Sequence, residues 1–254
     1  MANIPELDIV IPVFNEGENI TRVLDALHAA IQKHTYRVLI CYDFPEDTTL
    51  AALDAYDNPG IDIERVLNPG RGPHAAVLAG FEASTAPAIF VFPADDDYNP
   101  PIIDSMVDMM QDGCEIVCAS RFMQGGKMVD CPWLKALLVR SSAWVLHHIA
   151  RVPTHDPSNG LRMFSRRVIE SIQIESTEGF TYSIELLVKT DRLGWRICER
   201  PASWYERGAG EGQSNFKVLK WLPAYLKWFW YAFATNVLVM HPNTVPLREN
   251  APQA

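Results

Sequence analysis

The sequence has no long hydrophobic run. Its longest uncharged apolar stretch lies between Lys227 and His241 and is 13 residues long, whereas spanning a bilayer takes about 20. No membrane-crossing helix is therefore expected. A basic surplus is also missing: the formal net charge is −9 over 254 residues, which argues against a general nucleic-acid-binding face. Cysteine is scarce and odd in number. The five residues Cys41, Cys114, Cys118, Cys131 and Cys198 contain no C-x-x-C pair, and they read as a reduced, intracellular chain. The opening MANIPELDIVIPVF shows no basic leader ahead of an apolar stretch and small-residue cleavage site, so no signal peptide is expected. Internal repeats, low-complexity tracts and a clear linker are likewise missing.

The chain is 48% hydrophobic and 21% charged, enough to bury the core of one large α/β domain or two small ones. The charge is unevenly spread. From Glu185 onward nine Lys/Arg face six Asp/Glu, so the first 184 residues carry −12.

Strand and helix patterns alternate through the first half. Leu7–Phe14 is a β-rich run, and Ile20, Val23, Leu24, Leu27 and Ile31 then recur at helical spacing. Arg37–Tyr42, Ile61–Leu67, Ala88–Phe92 and Glu115–Ala119 read as further strands. Helices are expected at Thr48–Tyr56, His74–Ser84 and Pro101–Gln111. Five such units imply a mainly parallel sheet with helices on both faces, and ligands then sit beyond the carboxyl ends of the strands. The second half is less regular. Phe122–Asp130 reads as a loop, Pro132–Arg151 as a long helix, Leu161–Phe164 as a short strand, Thr181–Leu193 as a helix and Trp195–Glu206 as extended.

The stretch FVFPADDDYNPP raises the main chemical question. Three adjacent carboxylates, Asp95, Asp96 and Asp97, follow a buried strand and repel one another. Mg²⁺ takes hard oxygen ligands, often one or two carboxylates with substrate phosphates completing the shell. Asp95 and Asp97 can converge on one ion, with Asn99 as a further oxygen donor. A solvated turn is the other reading, since Asp and Asn before Pro are favoured there on local grounds.

Taken with IPVFNEGENI, YDFPEDTT, NPGRGPHAAVLAGFEAS, ASRFMQGG, PTHDPSNGLRMFS and RGAGEGQSNFK in that order, this stretch resembles glycosyltransferase family 2, in the branch of dolichol-phosphate mannose and polyprenyl-phosphate sugar synthases. The resemblance spans about residues 7 to 220. It implies a GT-A fold, Rossmann-like with a mainly parallel sheet, a UDP- or GDP-sugar donor, Mg²⁺ or Mn²⁺, and inversion at the anomeric centre. By the same resemblance Pro12, Asn15 and Glu16 cup the nucleotide. Asp43 contacts base or ribose, although the family's usual paired aspartates are reduced here to one. Arg71 and Gly72 form the turn beside the donor. Asp95 and Asp97 match the acids of the metal motif, and Asp96 fills the intervening position.

Ser120-Arg121 matches an element in which the arginine, a catalytic residue, faces an acceptor phosphate, and Arg140 can add a second charge. Asp156, Arg162 and Glu185 match acidic and basic positions further on. Asp156 or Glu185 would serve as a base if the acceptor is a sugar hydroxyl, whereas a phosphate is already an anion. His155 reads as a turn histidine. Arg207, Ser214 and Lys217 lie on a glycine-rich loop suited to closing over the donor diphosphate.

In VLKWLPAYLKWFWYAF, Lys217, Lys220 and Lys227 share one arc beside Trp221, Trp228 and Trp230. An amphipathic C-terminal helix, residues 218–254 following a domain of residues 1–217, is expected to rest on anionic lipid or to pack back on the domain or a second subunit. The expected acceptor is a polyprenyl phosphate, with the enzyme on the cytoplasmic face of a membrane. A sugar hydroxyl of a glycan, or a non-catalytic nucleotide-sugar-binding scaffold, are the rivals.

Overall fold

The computed structural model describes residues 4–58, 60–205, 218–238, 245–249 and 251. Successive apolar residues along a strand face two different helix layers. In β1 (Leu7–Pro12), Leu7, Ile9 and Ile11 join one core and Val10 the other. The first core is closed by α1 (Asn19–Ala30), whose Ile20, Val23, Leu24 and Leu27 are buried, and by α4 (Ile103–Gln111). The second is closed by α3 (Gly72–Ala83), by α6 (Arg166–Ser171) and α7 (Thr181–Arg192), and by Trp228 and Ala232 of α8 (Val218–Asn236). Helix α3 lies close on the sheet because residue 80 is glycine: a Cβ there would come within 2.3 Å of Val10 Cγ1 and 2.9 Å of Cys41 Sγ.

The main sheet takes the order β3-β2-β1-β4-β7-β5-β8. Its further members are β2 (Tyr36–Tyr42), β3 (Asp62–Leu67), β4 (Ala88–Val91), β5 (Ile116–Ser120), β7 (Arg162–Ser165) and β8 (Ile197–Pro201). Helix α2 (Thr48–Ala55) joins β2 to β3. Strand β7 is antiparallel to both neighbours, with Met163 opposite Phe90 on one side and Val117 on the other. All other pairings in this sheet are parallel. The carboxyl ends of β1, β2, β3, β4, β5 and β8 therefore share one edge, and the loop entering β7 arrives at that same edge.

The first-half elements match the sequence reading to within a residue or two. Three features do not. The loop expected at Phe122–Asp130 contains β6 (Lys127–Val129), which pairs with β9 (Ser203–Tyr205) in a small second sheet. The single long helix expected to Arg151 is α5 (Trp133–Trp144) followed by one π-helical turn, Val145–Ile149. Helix α6 had no signal of its own.

One wider expectation also changes. Cys114 and Cys198 form a disulfide, so the fully reduced reading does not hold. The pair is 84 residues apart in sequence, and the parallel β5–β8 pairing rather than any local spacing brings it together. The described C-terminal residues are packed into the body: Arg192 donates to Thr235 Oγ1 at 2.8 Å and to the Ala232 carbonyl at 3.0 Å. Residue 247 bridges Ile172, flanked by Gln173 N to Pro246 O and Arg248 N to Ser171 O, each 2.9 Å.

Candidate active site

Four loops meet at the edge where β1, β2, β3 and β4 end. The turn after Pro12 puts Asn15 in the left-handed region, φ 55°, a conformation that asparagine tolerates better than most residues. Asp47, 2% exposed, fastens this turn: its carboxylate accepts from Asn15 N at 3.1 and 3.0 Å while capping α2 through Thr49 N at 2.9 Å. Asn15 Oδ1 in turn accepts from Thr48 N at 3.2 Å, and Glu16 N donates to Thr49 Oγ1 at 3.1 Å. After β2, Asp43 accepts from Asn68 Nδ2 at 2.6 Å and from Gly72 N at 2.7 Å. It thus shapes the turn that carries Arg71, which is exposed at the start of α3. Gly72 itself has φ 84°.

The acid triplet splits. Asp96 turns inward and accepts from Tyr98 N (3.1 Å), Asn99 N (3.0 Å) and Asn99 Nδ2 (2.6 Å). Burial holds its carboxyl above the usual range despite those donors, with Asp97 adding repulsion. Asp95 and Asp97 are exposed and line a cavity with Glu16, Arg22 and Tyr205. Asn99 is not placed to serve as the metal donor expected from its spacing. It is 5% exposed, its Oδ1 accepts from Ser203 N at 3.0 Å, and its Nδ2 also donates to Ser203 O at 2.8 Å. It pins the acid loop to β9. Two exposed carboxylates with a third turned away suit a hard cation that takes its remaining ligands from phosphate oxygens. Among the described residues no three His, Cys, Asp or Glu side chains are grouped so as to hold a metal ion by themselves.

A second cavity, about 340 Å³, opens beyond β5. Arg121 and Arg140 both lie over the Phe122 ring, at 5.3 and 5.4 Å from its centroid, and line this cavity with His147, His148 and His155. Arg121 is also bound to Asp156, through Nε at 2.6 Å and Nη2 at 2.8 Å, and its backbone N donates at 3.0 Å. Asp156 is wholly buried, so it holds Arg121 and is not exposed to act as a base. This corrects the catalytic expectation for that residue.

Glu185 is corrected more strongly. Buried at 0% exposure, it accepts from Glu175 N (2.6 Å), Ser176 N (2.8 Å) and the buried Lys189 Nζ (2.6 Å). It organises the loop before α7 and meets neither cavity. Arg162 is also internal, donating to the Ser183 and Pro157 carbonyls. Arg207, Ser214 and Lys217 lie outside the described residues.

Sequence reasoning missed Asp47, Arg22 and Glu199. Asp47 had a local signal, an Asp followed by two Thr at a helix start. Glu199 had none, because its partners Thr154 and His155 lie more than 40 residues away in the chain.

The topology and these loops define a GT-A-like α/β fold. The chain matches the family model for glycosyl transferase family 2 over residues 8–173 and belongs to that family; it is a glycosyltransferase. It is 24% identical over 233 residues to a dolichol-phosphate mannosyltransferase of Pyrococcus furiosus, covering 88% of this chain and 64% of that protein. It is 26% identical to a polyprenol monophosphomannose synthase of Mycolicibacterium smegmatis, covering 84% of this chain and 85% of the relative. An undecaprenyl-phosphate mannosyltransferase of Micrococcus luteus is 25% identical, with 84% and 92% covered. Among solved structures, glucosyl-3-phosphoglycerate synthase from Mycobacterium tuberculosis, in complex with Mn²⁺, UDP and phosphoglyceric acid, superposes with a TM-score of 0.63 at 17% identity, covering 91% of this chain and 78% of that one.

Proposed function

We propose that this enzyme moves a sugar from a nucleotide-sugar to a polyprenyl phosphate, inverting the anomeric centre. The observation that carries the reading is the pairing, on one sheet edge, of an acid-lined cavity with an arginine-lined one. Asp95 and Asp97 would hold a divalent cation, Mg²⁺ or Mn²⁺, which supplies charge stabilisation for the departing nucleoside diphosphate. The Asn15–Glu16 turn, Asp43 and Arg71 form the wall available to the nucleotide. Asp96 and Asn99 keep the acid loop in place.

Arg140 and the remaining face of Arg121 would receive the acceptor phosphate. Among the described residues no carboxylate lines that cavity, and Asp156 behind it is taken up by Arg121. The two arginines favour an acceptor that arrives as an anion. Helix α5 supports a lipid acceptor. Trp133, Leu134, Leu137 and Leu138 are 53–76% exposed on it, an apolar face beside cations that suits peripheral seating on a membrane. Of the lysine stripe expected on α8, only the Lys227 side chain is described, at 4.9 Å over Trp228. No described helix is long and apolar enough to cross a membrane. The test is transfer of labelled sugar from UDP- and GDP-sugars, with Mn²⁺, into polyprenyl phosphate and into a hydroxyl-terminated lipid. Label in the phosphate product alone is expected; label in the hydroxyl product alone would overturn the reading.

A further inference from the structure

The arginine-lined cavity holds a histidine pair that the proposed reaction leaves unused. His155 Nδ1 lies 2.6 Å from Glu199 Oε2, and its backbone N donates to Glu199 Oε1 at 2.5 Å. A carboxylate only accepts, so Nδ1 carries the hydrogen and Nε2 is the nitrogen left to meet a molecule in the cavity. His147 is oriented in the same way, its Nδ1 donating to the Val152 carbonyl at 3.0 Å. The two rings lie 4.4 Å apart at 30°. The His155 side chain is 51% exposed and that of Glu199 12%, so a largely covered acid aims an accessible imidazole. The charged and titratable groups around this ring are Glu199 on β8, Arg121 after β5, Asp156 next in the chain, Arg140 on α5, and His147 and His148 on the π-helical turn.

A phosphate monoester loses its second proton near pH 6, and imidazoles titrate in the same range. We propose that His155, aimed by Glu199, is a catalytic residue that shares one proton with the acceptor phosphate. This rests on the reading of the acceptor as a phosphate. When the acceptor arrives singly ionised, Nε2 takes its proton. The dianion oxygen forms the new bond to the anomeric carbon, the bond from that carbon to the diphosphate breaks, and its electron pair leaves on the nucleoside diphosphate. The proton remains on His155 until it passes to solvent. When the acceptor arrives doubly ionised, a protonated His155 gives the same complex. The strongest complex therefore has one proton on the pair: with none the charge-assisted bond is lost, and with two the nucleophile is lost.

The pH profile of kcat/KM for polyprenyl phosphate tests this in wild type, His155→Gln and Glu199→Gln. Wild type is expected to give a bell. His155→Gln should give a curve that only rises, about tenfold below wild type near pH 6.5, the scale of one charge-assisted hydrogen bond, and converging with it above pH 8. Glu199→Gln, which loosens the aim of the ring, should lower kcat/KM near pH 6.5 in the same direction as His155→Gln and by less. Parallel wild-type and His155→Gln profiles, offset or superimposed, would overturn the proposal alone. If wild type transfers to a hydroxyl lipid and never to polyprenyl phosphate at any pH, the acceptor reading falls and the proposal falls with it.

Discussion

The two cavities differ in sign and in how they are built. The one after β4 is acidic, and its key residues Asp95, Asp96 and Asp97 are consecutive in the chain. The one beyond β5 is cationic and gathers Arg121, Arg140, His147 and His155 from separate elements. A loop of adjacent like charges is stable only with a counter-charge or a partial retreat from the site, and this one shows the retreat: Asp96 turns in and Asn99 ties it to Ser203. The cationic cavity settles its charge differently, by placing buried Asp156 behind Arg121. The acidic side thus keeps two outward carboxylates, and the cationic side keeps one arginine anchored and the other exposed.

The largest effect should come from the acidic side. Asp95→Asn with Asp97→Asn should lower the transfer rate about 10³-fold while the melting temperature stays within a degree or two, because both side chains are exposed. Rate and calorimetric scans on the same preparation would check this. On the cationic side the anchor is structural as well as functional. Asp156→Asn strands Arg121 with its charge unpaired and should cost about 3 kcal/mol of stability, read by urea unfolding.

Acid stability gives a control at the opposite edge of the sheet. Burial alone would raise the Asp8 carboxyl, but Arg37, Ser84 and the Thr85 and Ala86 amides hold it below the usual range. A lowered folded value means that its stabilisation is present above the unfolded value near pH 4 and is lost as pH falls through the folded one. Unfolding midpoints from pH 6 to 2 should fall on the acid side in wild type, and Asp8→Asn should flatten that fall. The smallest effect concerns the lipid surface. Leu137→Glu with Leu138→Glu should weaken partition onto anionic vesicles several-fold and leave transfer to a short-chain, water-soluble acceptor phosphate unchanged.

The contrast also explains how much was legible in the sequence. The parallel half was readable because each strand is an apolar run and each helix a periodic stripe, so Leu7, Ile20 and Phe90 announce their own surroundings. The acid loop was readable because it is contiguous. The cationic cavity was not, since Glu199 reaches His155 only after β8 pairs with β5. Asp156 was misread because its partner Arg121 is distant in the chain, and Glu185 because its burial leaves no mark in the sequence. Motif position suggested a base, but burial and donors, neither visible in one dimension, assign both to scaffolding. Strand β7 shows the same limit: four residues carry no signal that they will insert antiparallel between β4 and β5.

The most direct test of the division into a donor side and an acceptor side is crossed steady-state kinetics, with donor and acceptor varied independently, in wild type, Arg140→Gln and Asp97→Asn. Arg140→Gln is predicted to raise the acceptor KM about tenfold with the donor KM unchanged. Asp97→Asn is predicted to change the donor and metal dependence with the acceptor KM unchanged. A donor defect in Arg140→Gln, or an acceptor defect in Asp97→Asn, would contradict the account.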